Sequence, residues 1–166
     1  MSQILSIPVL LLLLSIQISI SSRFSLLNGF ADLILVWLAA WIVQSRFKNS
    51  WVWFLFAFAI TAFVTAVPWY AIFIGYLSVL VLGILIRKRL WQSQVLSFLV
   101  VLILGSIASY FTQYFSLELS GITLPWVETM KNIIIPSILL NLIIAFPVYL
   151  ITWVFSRWIN PEEELI

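Results

Sequence analysis

Long apolar runs dominate this chain and restrict what it can fold into. Hydrophobic residues make up 64% of the sequence and charged residues only 8%, which leaves too few polar side chains to cover a water-exposed surface. Short polar stretches such as "QSRFKNS", residues 44–50, separate the runs. The sequence therefore predicts an all-α integral membrane protein.

Six of these runs are candidate transmembrane helices, for which about 20 apolar residues are typical. They lie at about residues 4–20, 30–43, 51–67, 69–86, 95–115 and 133–155. Together they use most of the 166 residues, so we expect one domain, residues 1–166, folded as a compact bundle. The first run lacks the basic start and small-residue cleavage site of a signal peptide and is expected to be retained. The second is short for a span.

The basic residues predict how the bundle is oriented. With a cytoplasmic amino terminus, two of them face outward, Arg23 and Lys131, and six face the cytoplasm: Arg46, Lys48, Arg87, Lys88, Arg89 and Arg157. Short cytoplasmic loops carry an excess of Lys and Arg. We therefore expect both termini in the cytoplasm. The cluster Arg87, Lys88 and Arg89 serves this topology, or alternatively contacts anionic lipid or an acidic partner.

The residue types present exclude several kinds of chemistry. The chain has no cysteine and no histidine, which excludes thiolate chemistry and imidazole ligation of metals or haem. Residues 116–131 are expected to form an outward-facing loop that carries Glu118 and Glu128. Nothing in their neighbourhood defines the pocket that paired carboxylate catalysis requires. The sequence predicts a non-enzymatic protein with no cofactor, no metal and no nucleic-acid partner.

Small residues within the runs mark places where helices can approach closely. The fourth and fifth runs contain them at spacings typical of close helix packing in lipid, and the residues concerned are Ala71, Gly75, Gly83, Gly105 and Ser109. A similar row, with Ala57 and Thr61, lies in the third run. We expect these three spans to form the centre of the bundle.

Asp32 stands out because it lies in an apolar run, where an ionised carboxylate costs about 2.5–3.5 kcal/mol near the bilayer centre. Two interpretations remain open. If Asn28 caps the helix, Asp32 lies in the first turn, near the membrane surface, where the helix dipole favours it. Alternatively, Asp32 makes a structural or partner bond, for example with Arg23.

The sixth run holds an amide and two prolines. Asn141 lies near its middle and must face protein or water, because an unpaired amide in lipid is costly. Pro136 and Pro147 flank it, and Pro147 removes one hydrogen bond of the helix. By default these features are structural, although a role in partner docking is compatible with them.

Three blocks of the sequence resemble the MreD family of bacterial rod shape-determining membrane proteins. They are "ADLILVWLAAW", "AVPWYAIFIGYLSVLVLGILIRKRLWQ" and "LPWVETMKNIIIPSILLNLIIAFPVYLITWVFSRWINPEEE", in the family's order and across nearly the whole chain. Asp32, Tyr76, Pro136 and Asn141 fall at positions of the family's motifs. The chain departs from the family at Ala31, where a proline is usual, and at residues 62–65, which lack an acidic residue often present.

The resemblance implies a non-enzymatic scaffold of the cell-elongation complex in the bacterial inner membrane, which extends lateral peptidoglycan and maintains rod shape. The implied partners are MreC, the synthase pair of RodA and a class B penicillin-binding protein, and indirectly MreB. We expect the basic loops and the sixth span to contact MreC or synthase helices.

A second interpretation is a small-molecule-binding subunit similar to the substrate-capturing component of energy-coupling-factor vitamin transporters. Its ligand cavity would be lined by Trp37, Trp41, Trp53 and Trp69. The polar residues that the runs offer such a site are few, namely Gln17, Asp32, Gln113 and Asn141. A third interpretation, an accessory subunit of a respiratory or photosynthetic complex, is weakened by the absence of histidine.

Overall fold

The computed structural model describes residues 6–21, 29–44, 50–89 and 93–159. These residues form seven α-helices: α1 (Ser6–Ser21), α2 (Leu33–Gln44), α3 (Ser50–Val64), α4 (Trp69–Arg89), α5 (Gln94–Leu119), α6 (Trp126–Thr129) and α7 (Ile135–Ile159). A π-helical turn, Met130–Ile134, joins α6 to α7, so that one helical rod runs from residue 126 to residue 159. The prediction of an all-α chain with six helical segments is confirmed for the described residues.

The helices differ in length. Three segments are long and apolar enough to cross a membrane, namely Trp69–Ile86, Gln94–Leu119 and Trp126–Arg157. The apolar parts of α1, α2 and α3 are shorter, and α2, with 12 residues, measures about 18 Å against a hydrocarbon core of about 30 Å. This set of helices is compatible with a membrane protein.

The centre of the bundle is α2. Every residue from Leu33 to Val43 is buried, and α2 contacts α1, α3, α4, α5 and α7. The expectation that the third to fifth spans form the centre was wrong. A helix that is apolar on all sides belongs inside a bundle, whereas small residues indicate close pairwise packing and not a central position.

Gly75 and Gly105 lie where α4 and α5 touch. A Cβ atom added at Gly75 would lie 2.6 Å from Ser109 Oγ, and one added at Gly105 would lie 2.7 Å from Val79 Cγ2. Gly83 lies against Ile42 of α2, and Ala71 is fully buried. The backbones are therefore too close at these positions for larger side chains to fit without movement.

The segment 116–131, expected to be a loop, is mostly helical. Helix α5 continues to Leu119 and α6 begins at Trp126, which leaves a turn of six residues that passes through Gly121 at φ +86°. Tyr114 stabilises this turn, because its hydroxyl lies within hydrogen-bond distance of Glu118 Oε1, at 2.7 Å, and of the Leu124 carbonyl oxygen, at 2.9 Å. Residues 116–119, which include Ser116 and Glu118, therefore belong to α5 and not to a loop.

Candidate functional site

The candidate site surrounds the start of α2, which lies inside the bundle. A helix leaves its first four amides without partners in the helix itself, and in apolar surroundings these amides need other acceptors. Asp32 caps the helix: its Oδ1 accepts from the Leu35 amide at 3.0 Å, and its carbonyl accepts from the Val36 amide at 3.0 Å. Gln17 of α1 provides another acceptor, since its Oε1 accepts from the Ile34 amide at 3.3 Å.

The capping interpretation, with Asn28 as the cap and Asp32 in a first turn near the membrane surface, does not describe this arrangement. Asp32 is itself the cap, and its 6% exposure places it inside the bundle rather than in a surface turn. Asn28 and Arg23, the residues invoked as cap and as partner, lie outside the described residues.

Helix α7 provides acceptors for the segment that leads into α2. Asn141 Oδ1 accepts from the Asp32 amide at 2.8 Å, across 109 residues of sequence. One turn earlier, Ser137 Oγ accepts from the Phe30 amide at 3.1 Å. The two side chains are four residues apart, so they project from the same face of α7. That face holds the segment from Phe30 to Asp32 in place.

The amide nitrogen of Asn141 makes two further bonds. It donates to Ser106 Oγ at 3.1 Å and to the Tyr110 hydroxyl at 3.2 Å, both on α5. The Tyr110 hydroxyl in turn donates to the Phe30 carbonyl at 3.4 Å. Asn141 is fully buried, and both ends of its amide are engaged, as a buried amide requires.

The Asp32 carboxylate faces α4 and α3. The Tyr76 hydroxyl lies 3.1 Å from each carboxylate oxygen and donates to the carboxylate. Thr61 Oγ1 lies 3.2 Å from the same hydroxyl. Since Tyr76 directs its only proton to Asp32, Thr61 is the donor in their bond. Tyr76 and Thr61 are both buried.

A small cavity of about 60 Å³ lies beside this carboxylate. Its polar lining consists of Gln17, Asp32, Thr61, Thr65, Tyr76 and Gln113. A water molecule needs about 10–15 Å³ measured in this way, so the cavity has room for a few waters. The four polar residues that sequence reasoning found in the runs thus lie around the start of α2: three line the cavity, and Asn141 bonds to the Asp32 amide.

The tryptophans proposed to line a ligand cavity pack against one another instead. The rings of Trp37, Trp41, Trp53 and Phe155 form six contacts, with centroid distances from 4.3 to 6.5 Å. The fourth tryptophan, Trp69, lies elsewhere, beside Tyr70, and is 66% exposed. We call Trp37, Trp41, Trp53 and Phe155 the aromatic cluster.

The other residues that the sequence singled out lie apart from one another. Pro136 is buried, and its Cβ would lie 2.7 Å from a Cβ added at Gly29. Pro147 is exposed on α7. Arg87, Lys88 and Arg89 end α4, and their side chains lie outside the described part of the chain.

Sequence reasoning missed three members of the network, Ser106, Tyr110 and Ser137. A signal for them was present. Ser106 and Tyr110 are four residues apart on α5, as Ser137 and Asn141 are on α7, and polar residues at this spacing share one helix face. Two such polar faces in otherwise apolar helices favour a bond between the helices.

No family of known proteins, no curated protein and no solved structure matches the chain.

Proposed function

We propose that this chain is an integral membrane protein of the MreD type, with six spans and both termini in the cytoplasm. It acts as a non-enzymatic scaffold of the cell-elongation complex in the bacterial inner membrane. Its partners are MreC and, with it, RodA and a class B penicillin-binding protein, while MreB is reached indirectly.

One observation carries this proposal. Three positions of the resemblance, Asp32, Tyr76 and Asn141, are far apart in the sequence but meet in one buried network. Polar side chains in apolar helices tend to bond with one another, and three of those that do so here stand at motif positions of the resemblance. The bonds of this network hold helices in place, which suits a protein that presents a fixed surface to partners.

The surface available to partner spans is apolar and large. On α7, Ile143 is 66% exposed and Phe146 is 70% exposed. In a membrane such a face contacts either lipid or the spans of other proteins, and packing between helices then depends on shape and polar contacts. We assign the α7 face to MreC or to a synthase helix, in accord with the resemblance.

The described residues give the transporter interpretation little support. Ligand pockets for small molecules have volumes of about 300–1,000 Å³, whereas the cavity at Asp32 measures about 60 Å³. The tryptophans that would line a larger pocket fill the space among themselves. We therefore retain the scaffold function alone.

Site-specific photo-crosslinking in a rod-shaped bacterium tests the scaffold proposal. A photoreactive residue replaces Phe146 of α7 or, as the matched control, Phe63 of α3, which is 92% exposed. We expect Phe146 to crosslink to MreC or to an elongation synthase and Phe63 to yield mainly lipid adducts. If neither position captures a wall-synthesis protein, and the chain does not restore rod shape to cells depleted of their own MreD, the proposal is wrong.

Charge reversal tests the assigned role of the basic cluster. Replacing Arg87, Lys88 and Arg89 by glutamate is expected to reduce copurification of MreC while the chain still inserts. The control is Arg157→Glu, a basic residue on the same predicted side that stacks on Trp153 at 3.8 Å. Unchanged complex formation by the triple variant would show that the cluster serves topology only.

A further inference from the structure

The cavity beside Asp32 has a use that the scaffold function does not require. We propose that it binds one monovalent metal cation of the size of Na⁺, with the Asp32 carboxylate as the counter-charge. This inference is independent of the proposed function, since it follows from the bonding of Asp32 and from the oxygen atoms around the cavity.

The bonding of the Asp32 carboxylate leaves it able to accept a cation. A carboxylate offers about four acceptor positions, and Asp32 receives the Leu35 amide and the Tyr76 hydroxyl. Both donors are neutral, and within the described ranges no Lys or Arg side chain approaches the carboxylate. A buried charge without a countercharge is costly. The carboxylate thus has both the acceptor capacity and the charge to bind a cation.

The neighbouring segments bring further oxygen atoms to the cavity. Thr65 uses its proton on the Thr61 carbonyl at 3.1 Å, which leaves the lone pairs of its hydroxyl available. Gln113 donates its Nε2 to Ser109 at 3.2 Å, which leaves its Oε1 available. Both residues line the cavity. Together with Asp32 they offer three oxygen ligands from three different segments.

Helix α3 ends at the cavity. Its carboxyl end lines the cavity through Thr61 and, just beyond the helix, Thr65 and Val67. A helix carboxyl end carries a negative partial charge, and such ends, with unwound carbonyls, coordinate Na⁺ in transporters built from broken helices. The amino end of α2 offsets only part of the negative charge at this place.

The single carboxylate at the cavity favours a monovalent ion over a divalent one. Ca²⁺ and Mg²⁺ sites use several carboxylates or many oxygen ligands, and the described residues contain no cluster of three Asp, Glu, His or Cys side chains. One carboxylate with neutral oxygens matches one positive charge. The cavity volume of about 60 Å³ holds a small ion with a few waters but not an organic cation of any length.

The lining of the cavity includes exposed residues. Thr65 and Phe30 both line it and are themselves exposed. An ion can therefore enter beside them to reach Asp32.

The test is direct binding of ²²Na⁺ to the full-length protein in detergent, together with thermal unfolding followed by tryptophan fluorescence. Na⁺ is titrated against choline at constant ionic strength. We expect one Na⁺ per chain, and at about ten times the dissociation constant a rise in Tm of about 3–6 °C. Identical unfolding in Na⁺ and choline, with no bound ²²Na⁺, would overturn the proposal.

Two variants and one control locate the ion. Asp32→Asn keeps an oxygen for the α2 cap but removes the charge, and is expected to abolish Na⁺ binding. Should that variant fail to fold, Thr65→Val removes a single oxygen at the exposed rim, and is expected to weaken binding about three- to tenfold, since tenfold corresponds to 1.4 kcal/mol. Glu118→Gln removes a carboxylate outside the cavity and should bind Na⁺ as the unmodified chain does.

Other ways to compensate the charge give distinct results. If acid stabilises the protein equally in choline, with no bound ²²Na⁺, a proton occupies Asp32 and the metal-ion proposal is wrong. It is also wrong if the unmodified chain is insensitive to Na⁺ but the Arg23→Gln variant becomes sensitive, because Arg23 is then the countercharge. Na⁺ binding retained in Asp32→Asn would place the ion elsewhere.

Discussion

The two halves of α2 are held mainly by different means, although Gln44 at the carboxyl end also donates its Nε2 to the Tyr149 carbonyl oxygen at 3.0 Å. Around its amino end, Asp32, Asn141 and Tyr76 form directed hydrogen bonds with both backbone and side chains. Around its carboxyl half, the aromatic cluster fills space with four rings, and the buried Trp37 Nε1 has no hydrogen-bond partner among the described residues. In apolar surroundings the first arrangement specifies position, because each bond has one geometry, while the second contributes packing that tolerates local change.

The largest expected effect comes from the aromatic cluster. Trp41→Ala removes a fully buried ring in contact with three others. It should lower the free energy of unfolding by about 3 kcal/mol, the low end of the range for such substitutions, because unfolded helices keep the indole in apolar lipid. Denaturation in mixed micelles measures this loss. Trp41→Phe keeps an aromatic ring and should cost under about 1.5 kcal/mol.

The second-largest effect is expected at the hydrogen-bonded amino end of α2. Asn141→Leu leaves the Asp32 amide, Ser106 and Tyr110 without the partner shown here. At about 0.6 kcal/mol for an average interhelical bond in a membrane, three bonds give a loss of about 2 kcal/mol in the same assay. Asn132→Leu, the same change at an exposed position, is the control and should stay within about 0.5 kcal/mol. Equal values for the two variants would contradict a structural role for Asn141.

A smaller effect is expected from Tyr76→Phe, which removes one hydroxyl and keeps the ring. The Asp32 carboxylate and Thr61 lose a neighbour, at a cost of about 1 kcal/mol. If Thr61 acts through Tyr76, the double variant with Thr61→Val should cost less than the sum of the single variants. Strict additivity would show that Thr61 and Tyr76 act independently.

The smallest effect is expected from a tryptophan that lies outside the aromatic cluster. Trp69→Ala alters a residue that is 66% exposed and should change the free energy of unfolding by no more than about 0.5 kcal/mol. This variant is the matched control for Trp41→Ala. A loss at Trp69 as large as that at Trp41 would mean that the two tryptophans have equivalent structural roles.

Several features of the fold could be predicted from local sequence. The all-α class and the shortness of the second segment follow from the length and composition of the apolar runs. The central position of α2 could also be predicted, because the segment "LILVWLAAWIV" is apolar on all sides of the helix. The rows of small residues instead favoured the third to fifth spans as the centre, because close pairwise packing was taken to indicate a central position.

The candidate site could be predicted only in part. Asp32 and Asn141 stood out as polar residues in apolar runs, but nothing local in the sequence indicates that they bond to each other across 109 residues. The segment 116–131 was predicted to be a loop but is mostly helical. By composition alone, polar residues at the end of a long helix resemble a loop. The cavity depends on where α1 and α3 end, which lengths of apolar runs give only approximately.

Hydrogen–deuterium exchange tests most directly whether the two halves of α2 are held separately. In Asn141→Leu, amides of residues 30–36 should exchange faster while those of residues 38–44 keep their protection. In Trp41→Ala, the order should be reversed. Exchange that rises equally along α2 in both variants would show that the helix is held as one unit, and would contradict this account.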